Sequence, residues 1–571
     1  MRWSSALLAA SSPLYPSRGS ICRRCCWQAQ IRRQHAGNPT LKSEKPYYVT
    51  SPIFYVNAAP HVGHLYTLVL ADVLKRWHAL LGKKSILCTG TDEHGMKIQQ
   101  AAEKAQRDVR GFCDEMHQPF KELARAINVD WDHFIRTSDP DHRFAVQHFW
   151  LVLEEKGMIY SKKHEGWYSV SDETFYPANA VGWALDPATG RKFMASKETG
   201  KEVEWTSEKN YHFRMSELQD RLLQFYEDNP TFVVPETRMK AIVQEVKAGL
   251  KDLSISRPSE RLKWGIPVPN DDTQTIYVWV DALINYLTKA NYPFQIPGRE
   301  DAAGWPADCH VIGKDIVRFH CIYWPALLLA MYLPLPKKVL THAHWTLGKR
   351  KMSKSSGMVV NPFMAIDRFG VDCMRWYLIL DGGIKDDAAY DNSFIIDKYK
   401  KGLQGGIGNL ISRITKGKGW NLRKAVQQGQ LTSTEELDQQ FKSCLVQLPA
   451  SVARNMENLN PGDALAKIMN VIYDTNVYLA QAKPWDLSDK PEENRLNEII
   501  YLCAESIRIC GILLQPFMPE KMNTLLNMLG IHEEARNFTN AQFGSDKDYG
   551  TPKYLLRGAD GILFPGLSSD F

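Results

Sequence analysis

The stretch at residues 46–94 fixes the architecture more firmly than any other part of the chain. "KPYYVTSPIFYV" is rich in β-branched and aromatic residues and reads as a strand. Pro60 then opens a helical run from His61 to about Leu81, with Gly82 where a helix C-cap belongs. "KSILCTGTDEHG" follows, a short apolar run ending in Gly90, Asp92, Glu93 and His94. Strand, helix, strand demands a parallel sheet, and chemistry in such sheets collects at the carboxyl ends of the strands. "PHVGH" at 60–64 and "TDEHG" at 91–95 therefore face one crevice. A similar unit returns in "DCHVIGKDIVRFH" and "KKVLTHAHW", so the sheet reads as split by an insertion of roughly a hundred residues, far longer than an ordinary loop.

At 571 residues the chain exceeds one core, and about two to four domains are expected. A hydrophobic fraction of 44% and a charged fraction of 23% are those of a soluble globular protein. No window holds about 18 uninterrupted apolar residues, which argues against a membrane span. The insertion, 158–265, carries strand-like pieces such as "EGWYSVSDETFY" and a charged helical stretch near Met239 to Leu250. Beyond 395 the pattern turns helical. Ile499, Cys503, Ile507, Cys510 and Leu514 recur at spacings of three and four, as do Leu465, Ile468 and Ile472, and a bundle follows.

The formal charge of +6 is concentrated at the start of the chain. Residues 1–43 hold seven basic and no acidic residues, leaving 63 basic against 64 acidic in the rest. An Arg-rich, Ser-rich, acid-free leader has the composition of a mitochondrial transit peptide. A secretory signal is the alternative, but the apolar run Ala6 to Ala10 is short and arginines continue well past it. Cys22, Cys25 and Cys26 lie within the leader, and the other cysteines are dispersed singly, as in a reducing compartment. With a near-neutral body, any nucleic-acid site must be a local patch. The run 398–424, with eight basic residues and no acidic one, is the candidate.

A His-x-x-His at a helix start serves metal ligation, ordinary packing, or pairing with a phosphate chain. "GTDEHGMK" fails as a P-loop, because its lysine comes one place late and no Ser or Thr follows. Metal binding by His61, His64 and His94 lacks an H-E-x-x-H pattern, and Asp92 and Glu93 have an equally good use beside a cationic substrate. "GKRKMSKSSG" at 348–357 shifts the balance towards phosphate. Lysines closing over a triphosphate neutralise charge that builds during reaction, so the two clusters form a two-sided clamp. Gly63 suits a nucleotide lying against the backbone.

"PHVGH" and "KMSKS" resemble the two signatures of class I aminoacyl-tRNA synthetases, the first departing from the commoner His-Ile-Gly-His only at Val62. "TSPIFYVNAAPHVGHLYT", "GTDEHGMKI", "WGIPVP", "YVWVDALINY" and "IGKDIVRFHCIYWPA" resemble the methionyl-tRNA synthetase family in order and spacing, from about Pro46 to past Trp485. The resemblance implies an α/β fold: a split Rossmann-type parallel-sheet catalytic domain, an inserted α+β connective domain and a C-terminal α-helical anticodon-binding bundle. Its parts fall at 44–157 and 266–340 for the catalytic halves, 158–265 for the connective insertion, 341–395 for the KMSKS loop and stem-contact region, 396–535 for the bundle and 536–571 for a tail.

The implied substrates are L-methionine, ATP with Mg²⁺ and mitochondrial methionine tRNA. By resemblance His61 and His64 stabilise the ATP phosphates, Lys354 with Lys351 holds pyrophosphate, and Gly63, Gly313 and Asp315 lie along the nucleotide. Asp92 receives the methionine ammonium, and Ile53, Tyr55, Trp279, Tyr286 and His320 surround its side chain. Asn409, Arg413 and Trp485 read the anticodon, the first two lying four apart on one helix face. The chain departs from many relatives in lacking cysteine throughout 114–308, which excludes a cysteine zinc knuckle from the insertion. It ends at Phe571, soon after the bundle, so a monomer is expected.

Overall fold

The computed structural model describes residues 45–571, apart from 173, 187–188, 295–302, 348–349, 352–359, 418, 430–432, 488–492, 552–560 and 568–571. The leader and Lys354 lie outside the described residues.

The chain begins with strand β1 (Tyr47–Tyr55), helix α1 (Val62–Leu80) and strand β2 (Ser85–Asp92). Strand β3 (His133–Arg136) and helix α2 (Pro140–Glu155) follow. The insertion contributes the long antiparallel pair β4 (Ile159–Ser169) and β5 (Glu204–Phe213). A two-residue strand β6 (Val233–Val234) precedes helix α3 (Val278–Thr288) and strands β7 (Cys309–Gly313) and β8 (Val339–His342). The main sheet has the order β3-β2-β1-β7-β8-β6, and every pairing in it is parallel. Strand order reverses direction between β1 and β7, which opens a crevice beyond their carboxyl ends. The edge strand β6 arises from within the stretch 158–265, so the chain returns to the main sheet before residue 265.

Pro52 lies inside β1, a central strand, where it forfeits a ladder hydrogen bond. The register with β2 slips by one residue between Thr50 and Ile53, a bulge that accommodates the proline and turns the end of the strand towards the crevice. Gly90 answers a different constraint. A Cβ there would stand 2.0 Å from the carbonyl oxygen of Ile135 on β3, so only glycine permits this approach.

The helical part comprises α4 (Val371–Asp381), α5 (Asn409–Lys416), α6 (Glu436–Glu457), α7 (Pro461–Ala482), α8 (Glu493–Leu514) and α9 (Pro519–Leu529). The periodic residues Leu465, Ile468, Ile472, Ile499, Cys503, Ile507, Cys510 and Leu514 are all buried. They belong to one core with α1, whose Val62, Leu65, Leu68, Val69 and Trp77 are buried too.

Buried polar groups tie these parts together. Arg375 on α4 reaches Asp72 on α1 at 2.5 Å, and both side chains are fully buried. The same guanidinium donates to the carbonyls of Ile127 (3.1 Å), Pro516 (2.9 Å) and Phe517 (3.1 Å), the last two in the turn between α8 and α9. Arg375→Met strands these carbonyls and leaves Asp72 with Arg76 as its remaining cation. The expected loss is about 3–5 kcal/mol of stability, read from the urea midpoint with the slope unchanged.

Candidate active site and nucleic-acid interface

His61 and His64 build the start of α1 themselves. His61 is the N-cap, its Nδ1 accepting from the Gly63 amide at 3.0 Å, while His64 Nδ1 accepts from the His61 amide at 3.1 Å. This is a capping box made with imidazoles. The rings stack at 3.8 Å between centroids. With both Nδ1 atoms accepting, each neutral ring carries its proton on Nε2 and is set to donate to an anion. Gly63 has a nearer reason than nucleotide contact: a Cβ would meet the His61 ring at 2.8 Å. The helix dipole adds to the attraction for negative charge at this end.

These histidines line a cavity of about 1350 Å³ that also takes in Gly63, Ile53, Tyr55, Asp92, Trp279, Tyr286, Gly313, Asp315 and His320. Apart from Lys351 and Lys354, all eleven positions that the sequence singles out for the crevice thus line one cavity. The backbone of Lys351 ends a short strand and pairs with that of Thr346.

Within the cavity, Trp279 at the first turn of α3 stacks on Phe319 at 3.6 Å, with Tyr55 edge-on at 6.5 Å. A π-helical turn, Phe319–Tyr323, carries both Phe319 and His320. His320 Nδ1 lies 3.0 Å from the Ile316 carbonyl, which fixes that nitrogen as the donor. Its Nε2 then accepts the Tyr286 hydroxyl at 2.7 Å. Burial lowers the His320 pKa to about 4, so the ring is neutral at physiological pH. Aromatic walls around a neutral polar pair suit a thioether, a polarizable group with a weak acceptor sulfur. Gly313 ends β7, and Asp315 lies 3.2 Å from His344 Nε2.

Asp92 and Glu93 part company. Asp92 ends β2 and lines the cavity, whereas Glu93 turns into the protein and is gripped by Arg136 through both oxygens, at 2.7 and 2.9 Å. The expectation that Glu93 stands beside a cationic substrate is therefore overturned, because its carboxylate is spent on Arg136, Thr91 and Ser138. His94 also turns inward, its Nδ1 2.6 Å from Asp281, which takes it out of any shared site with His61 and His64.

The distant trio assembles on the helical side. Asn409 is exposed at the start of α5, Arg413 follows one turn later, and its guanidinium stands 5.5 Å from the Trp485 ring centre. Trp485 sits in a short 3₁₀ turn after α7 and is 45% exposed, a large aromatic face left on the surface. The basic run around it is less free than its composition implies. Lys398 pairs with Asp381, Lys401 with Asp397 and Arg423 with Asp548.

Known proteins resemble the chain over most of its length. The family described as "tRNA synthetases class I (M)" matches residues 47–415. A Neurospora crassa protein named "Probable methionine--tRNA ligase, mitochondrial" is 55% identical, covering 96% of this chain and 91% of that one. The human "Methionine--tRNA ligase, mitochondrial" is 38% identical over 91% of this chain and 90% of its own. The chain belongs to the class I methionine–tRNA ligases. Among solved structures, Mycobacterium tuberculosis methionyl-tRNA synthetase in complex with methionyl-adenylate superposes with a TM-score of 0.83 at 35% identity, covering 91% of this chain and all of that one.

Sequence reasoning missed Phe319, Lys97 and the buried His94–Asp281–His142 group. Lys97 lines the cavity and lies 4.8 Å over the Tyr55 ring. The GTDEHGMK motif contains Lys97, so that signal was within reach. The stretch IGKDIVRFHCIYWPA likewise contains Phe319, but its stacking on Trp279 depends on a π-helical turn that no local pattern announces.

Burial also makes the fold acid-sensitive in a defined window. The pKa values of His78, His320 and His342 are lowered from 6.5 to about 4, and that of His310 lies well below 6.5. Between those limits the unfolded chain binds more protons, so stability is present above 6.5 and falls as the pH drops towards 4. Asp372, raised from 3.8 to about 6 by burial, acts in the opposite sense, but the histidines lowered by burial outnumber it, with His133, His148 and His212 among them. Urea midpoints measured from pH 7 to 4.5 should fall steadily, and His320→Gln should flatten the slope by up to about 1.4 kcal/mol per pH unit.

Proposed function

We propose that the enzyme activates L-methionine with ATP to give methionyl-adenylate and pyrophosphate, then transfers the methionyl group to the 3′-terminal ribose of mitochondrial methionine tRNA in the matrix. The observation that carries this reading is the neutral Tyr286–His320 pair, held in one cavity with Asp92 and the capped histidines. Asp92 takes the ammonium, a charge-assisted contact. Ile53, Tyr55 and Trp279 enclose the side chain, and the Tyr286–His320 pair faces the sulfur. Leucine or isoleucine entering this pocket leaves those polar groups unpaired, a larger penalty than one missing methylene.

ATP enters as its magnesium complex, with Gly63, Gly313 and Asp315 along the nucleotide. As the methionine carboxylate attacks the α-phosphorus, His61 and His64 donate from Nε2 to the phosphate oxygens. Lys354, supported by Lys351, holds the departing pyrophosphate. Rate enhancement then comes from positioning and preorganised charge, with no covalent enzyme intermediate. In this reading 44–157 and 266–340 form the catalytic domain, 158–265 the connective insertion and 396–535 the anticodon-binding bundle. Residues 1–43 act as the import leader, and the enzyme works as a monomer without zinc.

Methionine-dependent exchange of pyrophosphate into ATP is the direct test. Absence of exchange, or equal exchange with several amino acids, overturns the assignment; a small-molecule adenylyltransferase behaves in the first way. Asp92→Asn should weaken methionine binding in the ground state, seen as a raised methionine KM.

For the tRNA, Asn409 and Arg413 hydrogen-bond anticodon base edges, and Trp485 supplies a stacking face worth roughly 1–3 kcal/mol per base. Trp485→Ala should cut tRNA charging about tenfold or more while leaving pyrophosphate exchange intact. A fall in exchange proportional to the fall in charging shows instead that Trp485 is structural.

A further inference from the structure

Methionine is held at two ends, by a carboxylate at the end of β2 and by aromatic walls on α3. Their separation must match the ligand, and nothing in either element alone sets it. A buried group spans the gap. Asp281, fully buried on α3 between Trp279 and Tyr286, receives His94 Nδ1 on one oxygen at 2.6 Å and His142 Nε2 on the other at 2.7 Å. His94 is two residues beyond Asp92, and His142 lies in the first turn of α2.

His142 Nδ1 is also 2.9 Å from the Thr288 hydroxyl at the end of α3. With Nε2 donating to Asp281, a neutral His142 accepts the Thr288 hydroxyl on Nδ1, and the same hydroxyl lies 3.1 Å from the Ile284 carbonyl. Helix α2 thus grips α3 at both Asp281 and Thr288. Burial raises the Asp281 pKa, but the two imidazoles outweigh it and hold the carboxyl below its usual range, which keeps it ionised.

A buried charge of this kind contributes little stability over an apolar substitute of the same volume. What it adds is direction, because each oxygen accepts along a defined line. None of Asp281, His94 and His142 is among the residues lining the cavity, so the group acts through its neighbours.

We propose that Asp281 is a positioning residue for methionine: by bridging His94 and His142 it fixes the spacing between the ammonium receptor Asp92 and the side-chain wall formed by Trp279 and Tyr286. This inference rests on the methionine reading given above.

The substitution Asp281→Asn keeps the shape but can accept on only one side, presenting an N–H to the other imidazole. In methionine-dependent pyrophosphate exchange, the variant should raise the methionine KM about tenfold or more, while the ATP KM and kcat change by less than about threefold. His142→Asn, remote from the cavity, should give the same split, and the double variant should be no worse than Asp281→Asn alone. Urea midpoints are measured for each variant. If Asp281→Asn does not fold, His94→Asn and His142→Asn are judged by the same split. If the wild-type enzyme shows no methionine-dependent exchange, the functional reading itself fails. If the wild type exchanges and the folded variants keep the wild-type methionine KM, or raise the methionine and ATP KM values together, the positioning role is overturned.

Discussion

The contact between Asp72 and Arg375 holds the molecule in its working arrangement. Asp72 stands midway along α1, the helix whose first turn presents His61 and His64. Arg375 stands on α4 and holds the turn between α8 and α9 by its carbonyls. One planar guanidinium therefore fixes the histidine-bearing helix against the helical part that carries Trp485. Arginine suits this place because its donors point in several fixed directions at once, which an ammonium cannot match. A buried pair of this type is weak evidence for stability in itself. Its value here lies in registering the helix that bears the two cavity histidines against the helical part that carries Trp485.

The same logic recurs at smaller scale around the cavity. Glu93 is locked by Arg136, His94 by Asp281, and Tyr286 by His320. Each of these three side chains takes its partner from another part of the fold. The cavity walls therefore come from rigid strands and helices whose mutual placement is set by hydrogen bonds behind them. Such support is what a site needs if it is to hold reacting groups before the substrate arrives.

Much of this was legible in the sequence. The strand–helix–strand reading of 46–94 located both polar clusters on the carboxyl edge of a parallel sheet, and β1, α1 and β2 occupy those stretches. The periodic residues of the bundle are buried as their spacing implies. What escaped was whatever depends on distant partners or irregular backbone. Strand β6 has only two residues, too short for any alternation to register. Glu93 looked equivalent to Asp92 because nothing local reveals that Arg136, forty-three residues on, claims it. The run from Tyr399 to Gly408 adopts a π-helix, a wider winding that its glycines permit and that no apolar period announces.

The bulge in β1 gives the cavity a parity. Side chains along a strand alternate between faces, so one extra residue exchanges the faces for everything beyond it. Before the bulge, Tyr48 points into the core and donates its hydroxyl to the Tyr286 carbonyl at 3.0 Å. After it, Ile53 and Tyr55 line the cavity while Phe54 also borders it from a buried position. Changes of side chain at these positions alter the cavity's shape locally. A change of length between Thr50 and Ile53 does something else: it inverts the alternation and trades the outward for the inward residues at a stroke. In this strand the count of residues is as much a part of the binding site as their identity.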